Sequence, residues 1–108
     1  MVNTSSMPMP SPFGSAARSR ALLALALMEE TYPRELARVL EMPLFSIQKA
    51  LASLERDGLL ASRLLGRTRL YGLNPRYLAL RELREYLERL ATREFELRRR
   101  INARRARV

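Results

Sequence analysis

Between two short stretches of apolar periodicity the chain places a break, Glu41-Met42-Pro43, and no other feature restricts its fold so strongly. Pro33 suits the first turn of a helix, because the amide it lacks would be unpaired there anyway, and Leu36, Val39 and Leu40 then point one way. After the break a second helix is predicted over about 44–57, with Ile47, Ala50, Leu51 and Leu54 inward and Gly58 as its left-handed stop. Two short helices joined by so tight a break form the core of a helix-turn-helix.

Upstream, Ser15 can cap a helix running to about residue 28, with Leu22, Leu25 and Ala26 on one face and Leu23 and Leu27 widening it. Thr31 and Tyr32 then read as a short extended link. Downstream, 59–64 and 67–73 alternate about Leu65-Gly66, the pattern of a β-hairpin whose turn uses the glycine for positive φ. Asn74-Pro75 marks a fresh helix start, and no Gly or Pro follows it, so one long helix is expected to about residue 104. The fold class is therefore mainly α with a small β-hairpin. Three parts are expected: a flexible, uncharged tail rich in Pro and Ser over 1–14, a domain over 15–74, and the final helix over 75–108.

That last helix carries Leu80, Leu83, Leu87, Leu90, Glu94, Leu97 and Ile101 at alternating spacings of three and four, a heptad seam interrupted once at Glu94. Thirty residues of helix extend ~45 Å, whereas a domain of this size is ~30 Å across, so the far half is expected to need a partner. A two-fold homodimer through those six apolar residues is the commonest solution.

Composition narrows the chemistry. The chain has 108 residues, one domain's worth, and contains neither Cys nor His, which removes thiol and imidazole catalysis, disulfides and the usual ligands of zinc, haem and iron–sulfur clusters. No cofactor and no metal are expected. Asp57 is the only aspartate and sits at a helix end, the glutamates fall among arginines at surface spacings, and all four glycines occupy turn-like positions, so an enzyme is not expected. The longest apolar run, over 21–28, is too short to cross a bilayer and is followed by Glu29 and Glu30, which points to a cytoplasmic protein with no membrane partner.

The net charge of +9 suits a polyanionic partner, and its placement is more informative than its sum. Acids and bases balance over 15–58 and over 74–97; the excess lies in Arg63, Arg67 and Arg69 of the hairpin and in Arg98, Arg99, Arg100, Arg104, Arg105 and Arg107 at the end. The terminal group is expected to add sequence-independent attraction to phosphates.

In its order of elements the chain resembles the winged helix-turn-helix domains of prokaryotic transcriptional regulators over roughly 13–90. The closest local matches are Tyr32-Pro33-Arg34-Glu35-Leu36-Ala37, the segment from Ile47 through Glu55-Arg56-Asp57-Gly58-Leu59, and Gly66-Arg67-Thr68-Arg69-Leu70-Tyr71 with Asn74-Pro75. The patterns are similar to ArsR-like and MarR-like regulators, and to winged-helix domains ahead of some nucleotidyltransferases, which begin like Phe13-Gly14-Ser15. Two positions depart: Glu41 stands where the turn usually has Gly, and Pro43 where the recognition helix usually has a Ser or Thr cap.

The resemblance implies sequence-specific binding of double-stranded DNA by a dimeric regulator acting as a repressor, with the helix over 44–57 in the major groove. Its outward positions are Phe45, Ser46, Gln48, Lys49, Ala52 and Ser53. Gln48 is suited to pair bidentately with adenine, Lys49 to reach guanine or phosphate, and Phe45 to touch a thymine methyl. Arg63, Arg67 and Arg69 fall where the wing meets the backbone or a minor groove. Two alternatives stand beside this: a winged-helix protein-interaction module, and RNA binding through the arginine-rich end. No effector ligand is legible in the sequence.

Overall fold

The computed structural model of the chain describes residues 13–93 and 95–106. Eight elements follow in the order α1 (Ala16–Met28), β1 (Glu30–Thr31), α2 (Pro33–Leu40), α3 (Leu44–Arg56), β2 (Leu60–Leu65), β3 (Thr68–Leu73), α4 (Leu80–Ala91) and α5 (Phe95–Ala106). Of the tail expected over 1–14, residues 1–12 lie outside the described part, whereas Phe13 is packed edge-on against Tyr86 of α4, with ring centroids 6.0 Å apart.

Helix α1 is the hub. Ser15 caps it by accepting a hydrogen bond from the Arg18 amide (3.1 Å). Ser19, every residue from Ala21 to Ala26, and Met28 are buried, so the helix is enclosed on nearly all sides rather than along one stripe. Leu36, Val39 and Leu40 of α2, Ile47, Leu51 and Leu54 of α3, and Leu83, Leu87 and Ala91 of α4 join it in one core.

The hairpin forms where the alternation predicted it. Gly66 takes φ 65° at the first of the two loop residues between β2 and β3, a region open to glycine at no steric cost. Beyond the expected hairpin, Glu30 and Thr31 pair antiparallel with Gly72 and Tyr71, making a three-stranded sheet of order β1-β3-β2. Gly72 permits so close a pairing, because a Cβ there would stand 2.8 Å from the Glu29 carbonyl oxygen and something would have to shift. Gly58 has φ 86° after α3, as expected of a helix stop, and the Leu59 amide closes back on the Leu54 carbonyl (3.0 Å).

The final segment departs from the single long helix. Residues 74–79 are turns: the Asn74 side chain accepts from the Arg76 amide and donates to the Gly58 carbonyl (both 3.0 Å), tying the chain to the end of α3 before α4 begins at Leu80. Helix α4 stops at Ala91, where the Thr92 hydroxyl donates to the Arg89 carbonyl (2.7 Å), and α5 folds back against α2. The reversal places Leu97 and Ile101 in the core, only 5% and 3% exposed. A straight continuation would have carried both into solvent, at about 1.5–3 kcal/mol each.

Candidate nucleic-acid interface

Helix α3 buries Ile47, Ala50, Leu51 and Leu54, and its other side faces outward. Phe45 is 70% exposed, and Gln48, Lys49 and Ala52 are exposed beside it. The Lys49 ammonium lies 5.7 Å from the centroid of the Phe45 ring, a cation–π contact that orients both side chains along the surface. Arg56, which the sequence reading passed over, continues the same stripe seven residues after Lys49, exposed and with no ion pair among the described residues. Helical periodicity alone was enough to find it.

Ser46 and Ser53 are half-buried, and the two have different surroundings. Ser53 accepts a hydrogen bond from the Arg18 guanidinium, which also reaches Asp57 (3.0 Å) and the Phe13 carbonyl. Ser53 thus joins α1 to α3. Together Ser15, the cap of α1, with Ala17 and Arg18 of α1 and Phe45, Ser46 and Lys49 of α3 wall a shallow notch on this side of the molecule.

The pleat of the hairpin divides the three arginines of the sequence reading. Ser62 donates to Glu55 of α3 (2.7 Å), so the face of β2 that carries it looks toward α3, and Tyr71 and Arg69, opposite Ser62 and Leu64, share that face. Arg69 donates to the Ser62 hydroxyl (2.8 Å). Burial, together with the nearby Glu55 carboxylate, pushes the Tyr71 phenol above its ordinary range. Arg67 stands exposed at the tip with no ion pair among the described residues, beside Leu64 and Leu65, which are 59% and 60% exposed.

Arg63 points from the opposite face. Its guanidinium grips the Glu30 carboxylate with two hydrogen bonds of 2.8 and 2.9 Å, reaching across Gly72, whose missing side chain leaves the path open. The pairing holds the Glu30 carboxyl below the usual glutamate range, the hydrogen bonds from Arg63 outweighing the smaller opposing effect of desolvation. Arg63 has no acidic neighbour in the sequence of the hairpin; the fold supplies one in Glu30.

The expected dimer seam is redistributed as well. Leu83, Leu87, Leu97 and Ile101 are buried within this one chain, and Leu80 and Leu90 are partly buried against the same core. Glu94 lies outside the described residues. Of the terminal arginines, Arg100 donates to the Val39 carbonyl (3.0 Å) and lies 3.6 Å from Glu41, and Arg104 lies 3.9 Å from Glu35. The side chains of Arg98 and Arg105, and Arg107 entirely, fall outside what is described. Among the described residues no helix is long and apolar enough to cross a membrane, and no group of three or more carboxylates could hold a metal ion.

The arrangement of helices α2 and α3 beside a hairpin recurs in solved structures. A mutant of Lactococcus lactis ZitR superimposes over 93% of this chain and 66% of its own, with a TM-score of 0.61 and 16% identity. The adhesin competence repressor AdcR of Streptococcus pyogenes does so over 94% of this chain and 75% of its own, with a TM-score of 0.65 and 15% identity. The fold is a winged helix. At such identities the likeness is one of fold, and this winged helix spans just under two thirds of the ZitR chain. No family model matches the sequence, and no curated protein does.

Within the winged helix, α2 and α3 form the helix-turn-helix and β2–β3 the wing. Phe45, Gln48, Lys49, Ala52 and Arg56 lie along α3, while Arg69 is on the wing face turned toward it. This surface is cationic and hydrogen-bonding but carries no pair of groups poised for proton transfer or nucleophilic attack.

Proposed function

We propose that this winged helix is a sequence-specific regulator of transcription that binds double-stranded DNA with α3 in the major groove and the wing on the backbone or in a minor groove. The observation that carries the reading is the continuous outward stripe of α3, in which Gln48, Lys49 and Arg56 stand exposed beside Phe45 and neither cation is in an ion pair among the described residues. The charge content of α3 also differs from that of α4, which interleaves Glu82, Glu85 and Glu88 with its arginines, whereas α3 carries no acid from Leu44 to Leu54. Gln48 and Lys49 read base edges, Phe45 covers a thymine methyl, and Ser46, Arg56, Arg67 and Arg69 hold phosphates. Ser53 and Arg63 support the interface from behind, through Arg18 and Glu30.

The protein in this reading is a cytoplasmic homodimeric repressor that occludes a promoter. Since Leu83, Leu87, Leu97 and Ile101 are consumed by the chain's own core, the two-fold contact falls on the outer side of α4, where Tyr86 is 42% exposed and Leu80 and Leu90 are only partly covered. Selection of bound duplexes from a random pool tests specificity and symmetry together: an enriched inverted repeat is expected, and recovery of unenriched sequence sinks the specific reading. On the selected site Gln48→Ala or Lys49→Ala costs on the order of 1–3 kcal/mol, and much less on random duplex. Tyr86→Glu with Leu90→Glu gives a monomer by sedimentation if the contact is on α4.

A further inference from the structure

We propose that α5 is a brace that fixes the turn between α2 and α3, with Arg100 as a positioning residue that acts through the helix-turn-helix and not on DNA. The inference rests on the DNA-binding reading for its consequence and on the geometry below for its substance.

The turn lacks both devices that sequences usually supply. At the C-terminal end of α2, Glu41 adopts the left-handed conformation (φ 56°, ψ 48°), disfavoured for a residue with a Cβ, where glycine enters freely. Pro43 then precedes α3 with neither a capping side chain nor a backbone amide. Within the turn, the Glu41 amide reaches the Arg38 carbonyl at 3.3 Å and the Met42 amide the Ala37 carbonyl at 3.0 Å. Val39 is among the last residues of α2, whose carbonyls have no amide of a following turn to accept.

Arg100 supplies what is missing. Its Nη1 donates to the Val39 carbonyl (3.0 Å) while its Nε lies 3.6 Å from the Glu41 carboxylate, so one guanidinium holds the helix end and the left-handed residue together. A cation at that end also complements the helix dipole. One turn further along α5, the Arg104 Nε lies 3.9 Å from Glu35, an ion pair without a hydrogen bond, while the other Glu35 carboxylate oxygen accepts from the Thr31 hydroxyl, so a longer contact reaches the start of α2 as well. Ile101 lies between these contacts and Leu97 one turn before Ile101, and both are buried. One face of α5 therefore holds the C-terminal end of α2 through Arg100, with Arg104 near its first turn, and the presentation of α3 depends on that hold.

Arg100→Gln in the full chain tests the brace by two readouts. Without DNA, hydrogen exchange of the Glu41 and Met42 amides is expected to quicken about tenfold, while Leu51 and Leu54 of α3 stay protected. On the preferred duplex, affinity per folded molecule is expected to fall several-fold with the salt slope unchanged. Arg100→Lys, able to keep one of the two contacts, recovers part of both effects. A salt slope lower by roughly one unit makes Arg100 a phosphate contact and overturns the proposal. Unchanged exchange at Glu41 and Met42 overturns it equally. Should Arg100→Gln fail to fold, Glu41→Gln is judged on the same amides by the same criterion. If the intact chain binds no duplex, the DNA reading fails, and the exchange comparison still decides the brace.

Discussion

Substituting the three wing arginines one at a time separates the two faces of the hairpin. Each phosphate contact releases counterions, so its loss lowers the slope of log affinity against log salt by about 0.9. Across a fourfold change, from roughly 50 to 200 mM, one contact therefore alters the ratio of affinities by about 3.5-fold, well within the resolution of anisotropy titrations on a labelled duplex. Arg67 at the tip and Arg69 on the face shared with Ser62 and Glu55 are each expected to show this loss when changed to Ala, equally on preferred and random duplexes. Arg63→Ala is expected to leave the slope where it was. For Arg63 to reach a phosphate it would have to leave both bonds to Glu30 and cross to the other side of the sheet, which the pleat forbids. An Arg63→Ala slope that falls as far as that of Arg67→Ala refutes the division of the wing into two faces; parallel slopes for Arg67→Ala and the unaltered chain remove the wing from the interface.

Three further outcomes follow from the packing. Gly72→Ala is expected to destabilise by about 1–3 kcal/mol, because the added Cβ meets the Glu29 carbonyl at 2.8 Å and β1 must shift; a urea midpoint equal to that of the parent contradicts it. Leu87→Ala is expected to cost about 2–5 kcal/mol at any protein concentration, since Leu87 is 0% exposed within one chain, whereas a loss that changes on dilution returns it to a subunit interface. Glu30, held below its ordinary range by Arg63, adds stability at pH above that range and loses it as the pH falls through the lowered value; in Arg63→Ala its carboxyl, followed by NMR, titrates back at the ordinary value.

The helix-turn-helix and hairpin were legible because their signals are local. Pro33 and Gly58 bound the pair of helices within the same few residues that they organise, and the alternation about Gly66 spans one hairpin. Burial of α1 on nearly all sides was less so. Its run of Ala and Leu has no strong apolar stripe, and only the assembled fold shows that α2, α3, α4 and β3 surround it. The short extended link at Thr31 and Tyr32 was legible, but not its antiparallel pairing as β1: two residues carry no periodicity, and the pairing depends on Gly72, forty-two positions after Glu30.

The end of the chain was misread because the same spacing admits two geometries. Apolar residues at three and four along one helix describe a seam, but Leu83 and Leu87 on one helix and Leu97 and Ile101 on the next satisfy the pattern equally well once the chain reverses between them. No Gly or Pro marks that reversal; the Thr92 hydroxyl, bonded to the Arg89 carbonyl, is its nearest sequence trace, and threonine is common enough in helices to pass unnoticed. Charge fails in the same way. Arg63 and Arg100 were counted as unbalanced because Glu30 and Glu41 are distant in sequence, yet the fold sets each acid within 4 Å of its arginine. The net excess of nine already counts those acids, so the pairing moves the unpaired positive charge rather than reducing it, and Lys49 and Arg56 of the recognition helix and Arg67 and Arg69 of the wing are among the cations with no ion pair among the described residues.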